Sequence, residues 1–219
     1  MCFRIYLPAL VGFLFVFTAE ARVGNSSELS FCTEAEQCLL FDLICKTDDY
    51  EVRHYESVNW VSTDEESWSM DFASMTTFKR LFNYIKENDI QMTAPVIIEV
   101  PTTGLWLEWS TYKMSFLLPV EHQQNPPPPS DVNVYINQMP EMKVYVRSYG
   151  GWMVGISDKI KANSLSSALN AVGAKYTKSS HYGVGYNSPM TMLNRHNEVW
   201  FVSEDEPVCD SGSDSSEEN

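Results

Sequence analysis

The stretch 52–55 reads Val-Arg-His-Tyr and recurs at 146–149 as Val-Arg-Ser-Tyr, while Thr-Ala-Pro-Val at 93–96 is echoed by Asn-Ser-Pro-Met at 187–190. Both motifs are separated from their second copies by the same number of positions. A stretch with helical periodicity lies between the two motifs in each copy. An unchanged offset over two separate motifs indicates two related half-domains that fold together. The junction of two such halves is a place where a concave binding face is expected.

Hydrophobic periodicity predicts the elements of the first half. Residues 49–63 alternate and are rich in Val, Tyr and Trp, which indicates two short strands or one bent strand. From Met70 the period changes to that of an amphipathic helix ending near Asn88, with Ser69 or Asp71 as its N-cap. Two further strands are predicted at 92–100 and 113–118. The apolar positions assigned to the core face of the helix are Phe72, Met75, Phe78, Leu81, Phe82 and Ile85.

The second half repeats this plan after a stiff proline linker at 126–129. Strands are predicted at 132–136 and 142–149, the latter as the counterpart of the strand at 50–55. A second helix is predicted over 156–172, ended by Gly173, with Ile156, Ile160, Leu165 and Leu169 among its core positions. Strands at 181–187 and 198–203 complete an antiparallel α+β domain of about eight strands, with each helix packing its apolar stripe on a curved sheet.

The first 21 residues are typical of a secretory signal. Arg4 precedes an apolar run from Leu7 to Phe17, and Ala19-Glu20-Ala21 fits the cleavage rule. We therefore expect a secreted, extracellular chain that begins at Arg22, the alternative being an uncleaved N-terminal anchor. No later stretch approaches the roughly 20 apolar residues of a membrane helix, so no membrane span is expected.

Removal of the signal leaves Cys32, Cys38, Cys45 and Cys209, an even number in an oxidising compartment. Two disulfides are predicted, and the spacing leaves three connectivities open. In each of them Cys209 pairs with the N-terminal cluster and ties the chain ends together. The alternative, a metal site, lacks a histidine at zinc-ligand spacing. Asn25-Ser26-Ser27 is a candidate glycosylation site.

The charge pattern excludes some partners. A net charge of −14 argues against nucleic acid, whose phosphates require clustered Lys and Arg. Much of the negative charge lies in the Ser-rich tail 204–219, predicted to be disordered and either solubilising or phosphorylated at Ser215 or Ser216. The predicted organisation is thus a signal peptide at 1–21, a Cys-containing extension at 22–47, a folded domain at 48–203 and this acidic tail. A monomer is expected.

Several blocks between about 48 and 203 resemble the SOUL haem-binding protein family. They are Tyr50-Glu51-Val52-Arg53-His54-Tyr55, Trp60-Val61-Ser62-Thr63, Met92-Thr93-Ala94-Pro95-Val96, Pro127-Pro128-Pro129-Ser130-Asp131-Val132, Val146-Arg147-Ser148-Tyr149-Gly150-Gly151, Gly185-Tyr186-Asn187-Ser188-Pro189 and Asn197-Glu198-Val199-Trp200. The resemblance is specific because many separate blocks occur in the same order. It implies a distorted antiparallel β-barrel flanked by two helices, with haem or another tetrapyrrole as ligand and no general enzymatic activity.

The resemblance also suggests site residues. His54 matches the histidine proposed as axial iron ligand in members of this family, and is the candidate metal-binding residue here. Met75, Phe78 and Phe82 on the first helix offer a surface for the porphyrin face, since aromatic and thioether groups suit a flat polarizable ring. Members that bind porphyrin without an iron ligand use basic residues where this chain has Met75, Asn83 and Thr191. The nearby cations proposed to hold the propionates instead are Lys79, Arg80 and Arg195.

These observations favour a secreted haem or tetrapyrrole carrier, buffer or scavenger that is not an enzyme. No phosphate-binding glycine loop or nucleophile elbow is present in the sequence. Two alternatives remain. One is an extracellular protein-interaction module, with a partner surface formed by Trp60, Trp68, Trp106, Trp109 and Trp152. The other is a small-molecule hydrolase related to the wider fold.

Overall fold

The computed structural model describes residues 22–102 and 109–209. The predicted signal peptide, Trp106 and the tail beyond 209 lie outside the described residues. Within them the strands and α-helices are β1 Val23–Asn25, β2 Gln37–Leu39, β3 Asp42–Lys46, β4 Glu51–Tyr55, β5 Val58–Ser67, α1 Met70–Glu87, β6 Val96–Pro101, β7 Ser110–Leu117, α2 Val120–Gln123, β8 Val134–Met139, β9 Met142–Tyr149, α3 Gly155–Ala171, β10 Ser180–Gly185 and β11 Asn197–Val202.

The predicted α+β fold is confirmed. Nine strands form one antiparallel sheet in the order β3-β4-β9-β11-β10-β6-β7-β5-β8, and β1 pairs with β2 in a separate two-stranded sheet. The eight strands β4 to β11 are those expected for the domain, and the N-terminal segment adds the other three. The short helix α2 was not predicted.

Two similar halves form this sheet and meet at its centre. β4-β5-α1-β6-β7 and β8-β9-α3-β10-β11 follow the same order. β6 pairs with β10 at the centre of the sheet, and the first strand of each half pairs with the second strand of the other half, β4 with β9 and β8 with β5. By its position in the two halves, β4 corresponds to β8 and β5 corresponds to β9. The proposed equivalence of the strand at 50–55 with that at 142–149 is therefore wrong: β4 and β9 are antiparallel neighbours, with Val52 opposite Tyr145. The similar motifs at 52–55 and 146–149 therefore reflect the similar composition of alternating strands and not equivalent positions in the two halves.

The sheet curls around an apolar core that includes Tyr55, Trp60 and Trp200, all of them fully buried. The two long helices pack on the outside of the sheet. α1 covers β5 and β7, and α3 covers β9 and β11. No helix in the described part of the chain combines the length and apolar composition needed to cross a membrane.

Helix α1 has the predicted bounds but a different buried face. The Ser69 hydroxyl accepts a hydrogen bond from the Phe72 N–H, which selects Ser69 as the N-cap. The expected core positions Phe72, Met75 and Phe82 are 65%, 65% and 46% exposed. The residues that pack on the sheet are Met70, Ala73, Thr77, Leu81, Tyr84 and Ile85.

The buried face of α1 differs from the predicted face because two hydroxyl groups on it have hydrogen-bond partners. The Thr77 hydroxyl donates to the Ala73 carbonyl, and the Tyr84 hydroxyl donates to the Pro127 carbonyl in the proline linker. Polar side chains with such partners can be buried at small cost. The helix therefore turns Thr77 and Tyr84 inward and leaves larger apolar groups outside.

Helix α3 departs from its predicted pattern in the same way. Ile156 and Ile160 are each 55% exposed rather than part of the core. Leu165 and Leu169 are fully buried as predicted, and Asp158 is buried with them. The helix ends before Gly173, whose φ of 68° suits glycine.

The disulfides pair Cys32 with Cys38 and Cys45 with Cys209. This confirms the prediction of two disulfides, including the link between Cys209 and the N-terminal cluster. Cys38 is fully buried in the core and β3 forms one edge of the large sheet. Residues 22–47, predicted as an extension, thus pack against the domain.

Candidate functional site

An apolar groove of about 150 Å³ lies beside α1. We define this apolar groove by Phe78, Phe82, Met92, Tyr186 and Pro189, which line it together with the intervening backbone. The two phenylalanine rings stack at 5.8 Å between centroids with an interplanar angle of 13°. They form one wall, and the chain that follows β10 forms the opposite wall.

The central strand pair creates this arrangement. β6 and β10 run antiparallel with Val96 opposite Gly185, so the start of one strand lies beside the end of the other. The segments that flank these ends are 93–96 and 187–190, the two stretches that echo each other in the sequence. Although they are not topologically equivalent, they meet at the groove where the two halves join. The expected concave face at the junction is therefore present.

Glu34 fixes the loop on the far side of the groove. Its carboxylate accepts hydrogen bonds from the Asn187 amide at 2.8 Å, the Ser188 N–H at 2.7 Å and the Thr191 hydroxyl at 2.7 Å. Burial tends to raise the pKa of Glu34, but these hydrogen bonds outweigh it and the pKa lies below its ordinary value. The N-terminal segment thus supplies a groove residue that the sequence analysis missed, since only tertiary contact links it to 187–191.

Arg195 anchors the same loop from inside. Its guanidinium donates to the carbonyls of Ser188 at 2.7 Å and Thr191 at 2.8 Å, and stacks 4.5 Å from the centroid of the Trp152 ring. The side chain predicted to hold a propionate is therefore occupied in shaping the loop. Beyond this anchor, Met190, Met192 and Leu193 project outward, with exposed fractions of 87%, 76% and 77%.

The groove continues into an exposed face of α1. Met75 and Lys79 are exposed on the same helix as Phe78 and Phe82 but do not line the groove itself. The groove is smaller than the 300–1,000 Å³ typical of pockets that enclose a small molecule. A large flat ligand would therefore lie across the phenylalanine face, with one side open to solvent.

A buried ionic network lies next to Tyr186, one of the residues that line the groove. Glu198, fully buried, lies 3.0 Å from a guanidinium nitrogen of Arg53 and accepts hydrogen bonds from the Trp200 indole at 2.7 Å and the Tyr186 hydroxyl at 3.3 Å. His196 Nε2 lies 2.8 Å from Oε1 of Glu198, the oxygen that Arg53 also contacts, whereas Trp200 and Tyr186 donate to Oε2. Burial would raise the pKa of Glu198, but the Arg53 charge and these hydrogen bonds lower it overall, so the carboxylate is ionised at neutral pH. The hydrogen bond to Glu198 thus positions the Tyr186 side chain, which lines the groove.

His54 lies elsewhere. Its Nε2 is 2.9 Å from a Glu141 carboxylate oxygen, and its Nδ1 is 3.7 Å from Asp42. On β4 it shares a face with Val52, which packs in the cluster beneath α3. The structure thus brings Phe78 and Phe82 together in the groove, while Arg195 anchors the loop beside it and His54 does not line it. None of the histidines in the described ranges lines the groove.

The tryptophans in residues 22–102 and 109–209 do not form one surface. Trp60 is fully buried in the core, which removes it from the partner surface considered above. Trp68 and Trp109 are 55% and 53% exposed and contact each other edge to face at 5.2 Å between centroids. Trp152 lies separately beneath Arg195.

Comparison with known proteins places this geometry in a family context. The family model described as SOUL heme-binding protein matches residues 36–202. The human protein named Heme-binding protein 2 is 41% identical over 165 residues, covering 73% of this chain and 80% of the relative. Heme-binding protein 1 of Xenopus tropicalis is 31% identical over 160 residues, covering 70% of this chain and 83% of the relative. These relatives are named for heme binding rather than for a reaction.

Among solved structures, the EcmrR C-terminal domain is similar with a TM-score of 0.52 and 10% sequence identity. The similarity covers 76% of this chain and 99% of that domain. At this level of identity the likeness concerns the fold alone.

Proposed function

The chain belongs to the SOUL heme-binding protein family, and from this premise we propose that it binds haem or another tetrapyrrole at the apolar groove and acts as an extracellular carrier, buffer or scavenger. The observation that supports this most directly is the stacked pair Phe78 and Phe82, in which Phe78 is partly buried and Phe82 is 46% exposed. Large apolar groups left uncovered on a folded domain indicate a binding face.

The ring face supplies the main contact in this proposal. One porphyrin face covers Phe78 and Phe82, while Met75 extends the contact along α1. The exposed ammonium group of Lys79 lies on the same helix and is available to a propionate. Arg195 contributes indirectly, because its hydrogen bonds hold the loop against which the porphyrin edge packs.

Iron ligation is a separate question from ring binding. A haem iron accepts His, Met, Cys or Tyr side chains as axial ligands. Axial ligation by His54 remains a prediction, and it would require the imidazole to leave Glu141 and the ligand to bind away from the groove. Binding at the groove instead leaves the iron without a histidine ligand, because no histidine of the described residues lines the groove.

The two disulfides agree with an oxidising compartment, where such bonds persist. Together with the secretory signal predicted from the sequence, they support an extracellular role. Free haem is apolar and partitions into membranes, so an extracellular protein with an open apolar face is suited to taking it up and releasing it.

The test is a titration of the oxidised protein from Arg22 onward with hemin and, separately, with metal-free protoporphyrin IX. We expect saturable binding of both, with affinities within about threefold, because ring burial rather than iron dominates. His54→Ala should leave both affinities and the hemin Soret band unchanged.

A Soret band that shifts on binding and is lost in His54→Ala would instead establish His54 as the ligand and place haem away from the groove. No saturable binding of either tetrapyrrole would refute the proposed function. Thermal unfolding of His54→Ala beside the parent protein controls for loss of structure.

A further inference from the structure

A stripe of apolar and basic side chains runs along the outer face of α1. Phe72, Met75 and Phe82 are exposed on this helix, although they are large and apolar. Lys79 and Lys86 are exposed as well, and the five residues follow a spacing of three or four positions. Residues at this spacing share one side of a helix. We call these five residues the outer stripe, which lies opposite the face that packs on the sheet.

A second group of exposed apolar side chains lies on the loop across the apolar groove. Met190, Met192 and Leu193 are each more than three-quarters exposed. Phe82 of the outer stripe and Pro189 line the groove together, so the loop tip begins beside the stripe. We call the outer stripe and residues 190–193 the apolar rim. Large apolar groups concentrated at one place on a surface indicate an interaction site.

Hydrogen bonds at the base of the loop hold it in place. The Glu34 carboxylate accepts from the backbone N–H of Ser188 and from the hydroxyl of Thr191. The Arg195 guanidinium donates to the backbone carbonyls of the same two residues. Met190 lies between these two held positions and therefore projects into solvent.

The apolar rim is locally basic in an acidic chain. The chain as a whole has a net charge of −14. Positions 75–86 nevertheless include Lys79, Arg80 and Lys86 without an acidic residue, and positions 186–197 include Arg195 without one. Charges separated by more than about 8 Å are largely screened at physiological salt. The rim therefore presents positive charge to a surface that approaches it closely.

The carboxylates at the borders of the rim have hydrogen-bond partners. Asp71 accepts from the first backbone N–H of α3 at 2.9 Å, and Glu87 accepts from the Ser130 hydroxyl at 2.7 Å. Glu34 is bound by the loop, as described above. These carboxylates hold neighbouring segments together, and the charges on the outer stripe itself are those of its two lysines.

We propose that the apolar rim docks on the surface of a phospholipid bilayer that contains anionic headgroups. Exposed apolar side chains combined with lysines are typical of segments that lie at a membrane interface. Phe82 and the loop tip would enter the interface, while Lys79 and Lys86 extend their ammonium groups to the phosphates. A fluid bilayer accommodates side chains that project from two separate elements, whereas a folded partner needs a surface of matching shape.

This docking goes beyond the proposed tetrapyrrole binding and does not depend on it. Phe82 belongs to both the rim and the groove, so a docked molecule holds the mouth of the groove at the lipid surface. An apolar ligand could then pass between bilayer and groove without crossing water, where its exposure is unfavourable. Vesicle binding is measured without tetrapyrrole, so either proposal can fail while the other stands.

Sedimentation with vesicles tests the docking. The oxidised protein from Arg22 onward is mixed with vesicles of phosphatidylcholine that contain about 30% phosphatidylserine, or with vesicles of phosphatidylcholine alone. We expect saturable binding to the mixed vesicles and about tenfold weaker binding to phosphatidylcholine, because each lysine near an anionic surface adds to the affinity. Lys79→Gln with Lys86→Gln should lose most of this preference. No binding to the mixed vesicles, equal binding to both compositions, or an unchanged preference in this variant would overturn the proposal.

Two pairs of adjacent substitutions locate the contact. Met192→Ser with Leu193→Ser should weaken binding to the mixed vesicles by about tenfold, because two exposed apolar groups leave the rim. Leu43→Ser with Ile44→Ser is the matched control, since these residues are exposed on β3, an edge strand that does not line the groove. The control should change the affinity by less than about threefold. Equal losses in the two variants would refute the rim as the contact.

Methyl resonances of the unmodified protein guard against misfolding of a variant. Lipid discs of the mixed composition are prepared with and without a nitroxide-labelled lipid. The nitroxide should selectively broaden the methyl signals of Met190 and Met192 and spare that of Met114, which is 3% exposed. Saturable binding without this selective broadening would place the bilayer elsewhere and refute the proposed surface.

A second copy of the chain is the alternative occupant of the rim. Sedimentation equilibrium in the absence of lipid should show a monomer for the parent protein. A dimer that is lost in the Met192→Ser, Leu193→Ser variant would show that another molecule of this chain covers the rim, and would overturn the assignment to a bilayer.

Discussion

Replacing Phe82 by alanine removes the half-exposed ring that the proposed porphyrin would cover. The residue is 46% exposed, and a phenylalanine side chain buries about 200 Å² when fully covered. About 90 Å² therefore remains for a ligand to bury. At about 25 cal/mol per Å² this corresponds to ~2.3 kcal/mol of binding free energy, or about 50-fold in affinity. We expect Phe82→Ala to weaken hemin binding by ~10- to 50-fold, the upper value applying if the ring is completely covered.

Phe72→Ala is the matched control. Phe72 lies on the same helix and is 65% exposed, but it does not line the groove. Soret titrations of both variants, with thermal unfolding to confirm that each is folded, should show less than a threefold change for Phe72→Ala. Equal losses in the two variants would show that the groove is not the binding face. A decrease in hemin affinity below threefold for Phe82→Ala would refute the estimate made from the buried area of the ring.

Other predictions concern stability. Changing Cys45 and Cys209 together to serine removes a disulfide between residues separated by 164 positions in the sequence. Because this cross-link restricts the unfolded chain, the free energy of unfolding in urea should fall by ~3–5 kcal/mol, and a decrease below ~1 kcal/mol would contradict this entropic effect. Glu198→Gln removes the buried counter-ion of Arg53, which then keeps, among the described residues, only the partly buried Glu51 as an ion-pair partner. The free energy of unfolding should fall by ~1–3 kcal/mol in the same assay, partly recovered by adding Arg53→Met. Because the pKa of Glu198 is lowered by folding, its contribution is fully present above the unfolded value near 4.5 and is lost as the pH falls through the lower folded value. Unfolding free energy measured from neutral to acid pH should fall less steeply for Glu198→Gln, and parallel curves would show that Glu198 is not responsible.

Local patterns were sufficient for the elements themselves. The change of period at Met70 and the serine before it predicted where α1 begins, and Gly173 predicted where α3 ends. These signals operate within one or two turns of chain, so sequence alone carries them. Which side of α1 faces the sheet was predicted wrongly, because the burial of Thr77 and Tyr84 depends on hydroxyl partners that periodicity does not reveal.

The groove was predictable only in part. Phe78 and Phe82 were identified from the helical stripe, and 93–96 and 187–190 from their similarity, but nothing local connects these segments. Glu34 was missed because its three partners lie more than 150 positions away along the chain. His54 matched a family position, yet the strand face on which it lies separates it from the groove.

The sequence by itself determined the order of the strands β4 to β11 and the two long helices, the α+β class, the number of disulfides and the family. The tertiary structure decided the disulfide partners, the exposed face of α1, and the meeting of Phe82 with Pro189 across the joined halves. The physical reason is the range of the interactions. Backbone periodicity and capping are satisfied by neighbours in sequence, whereas burial and binding surfaces depend on which distant segments fill the space beside each side chain.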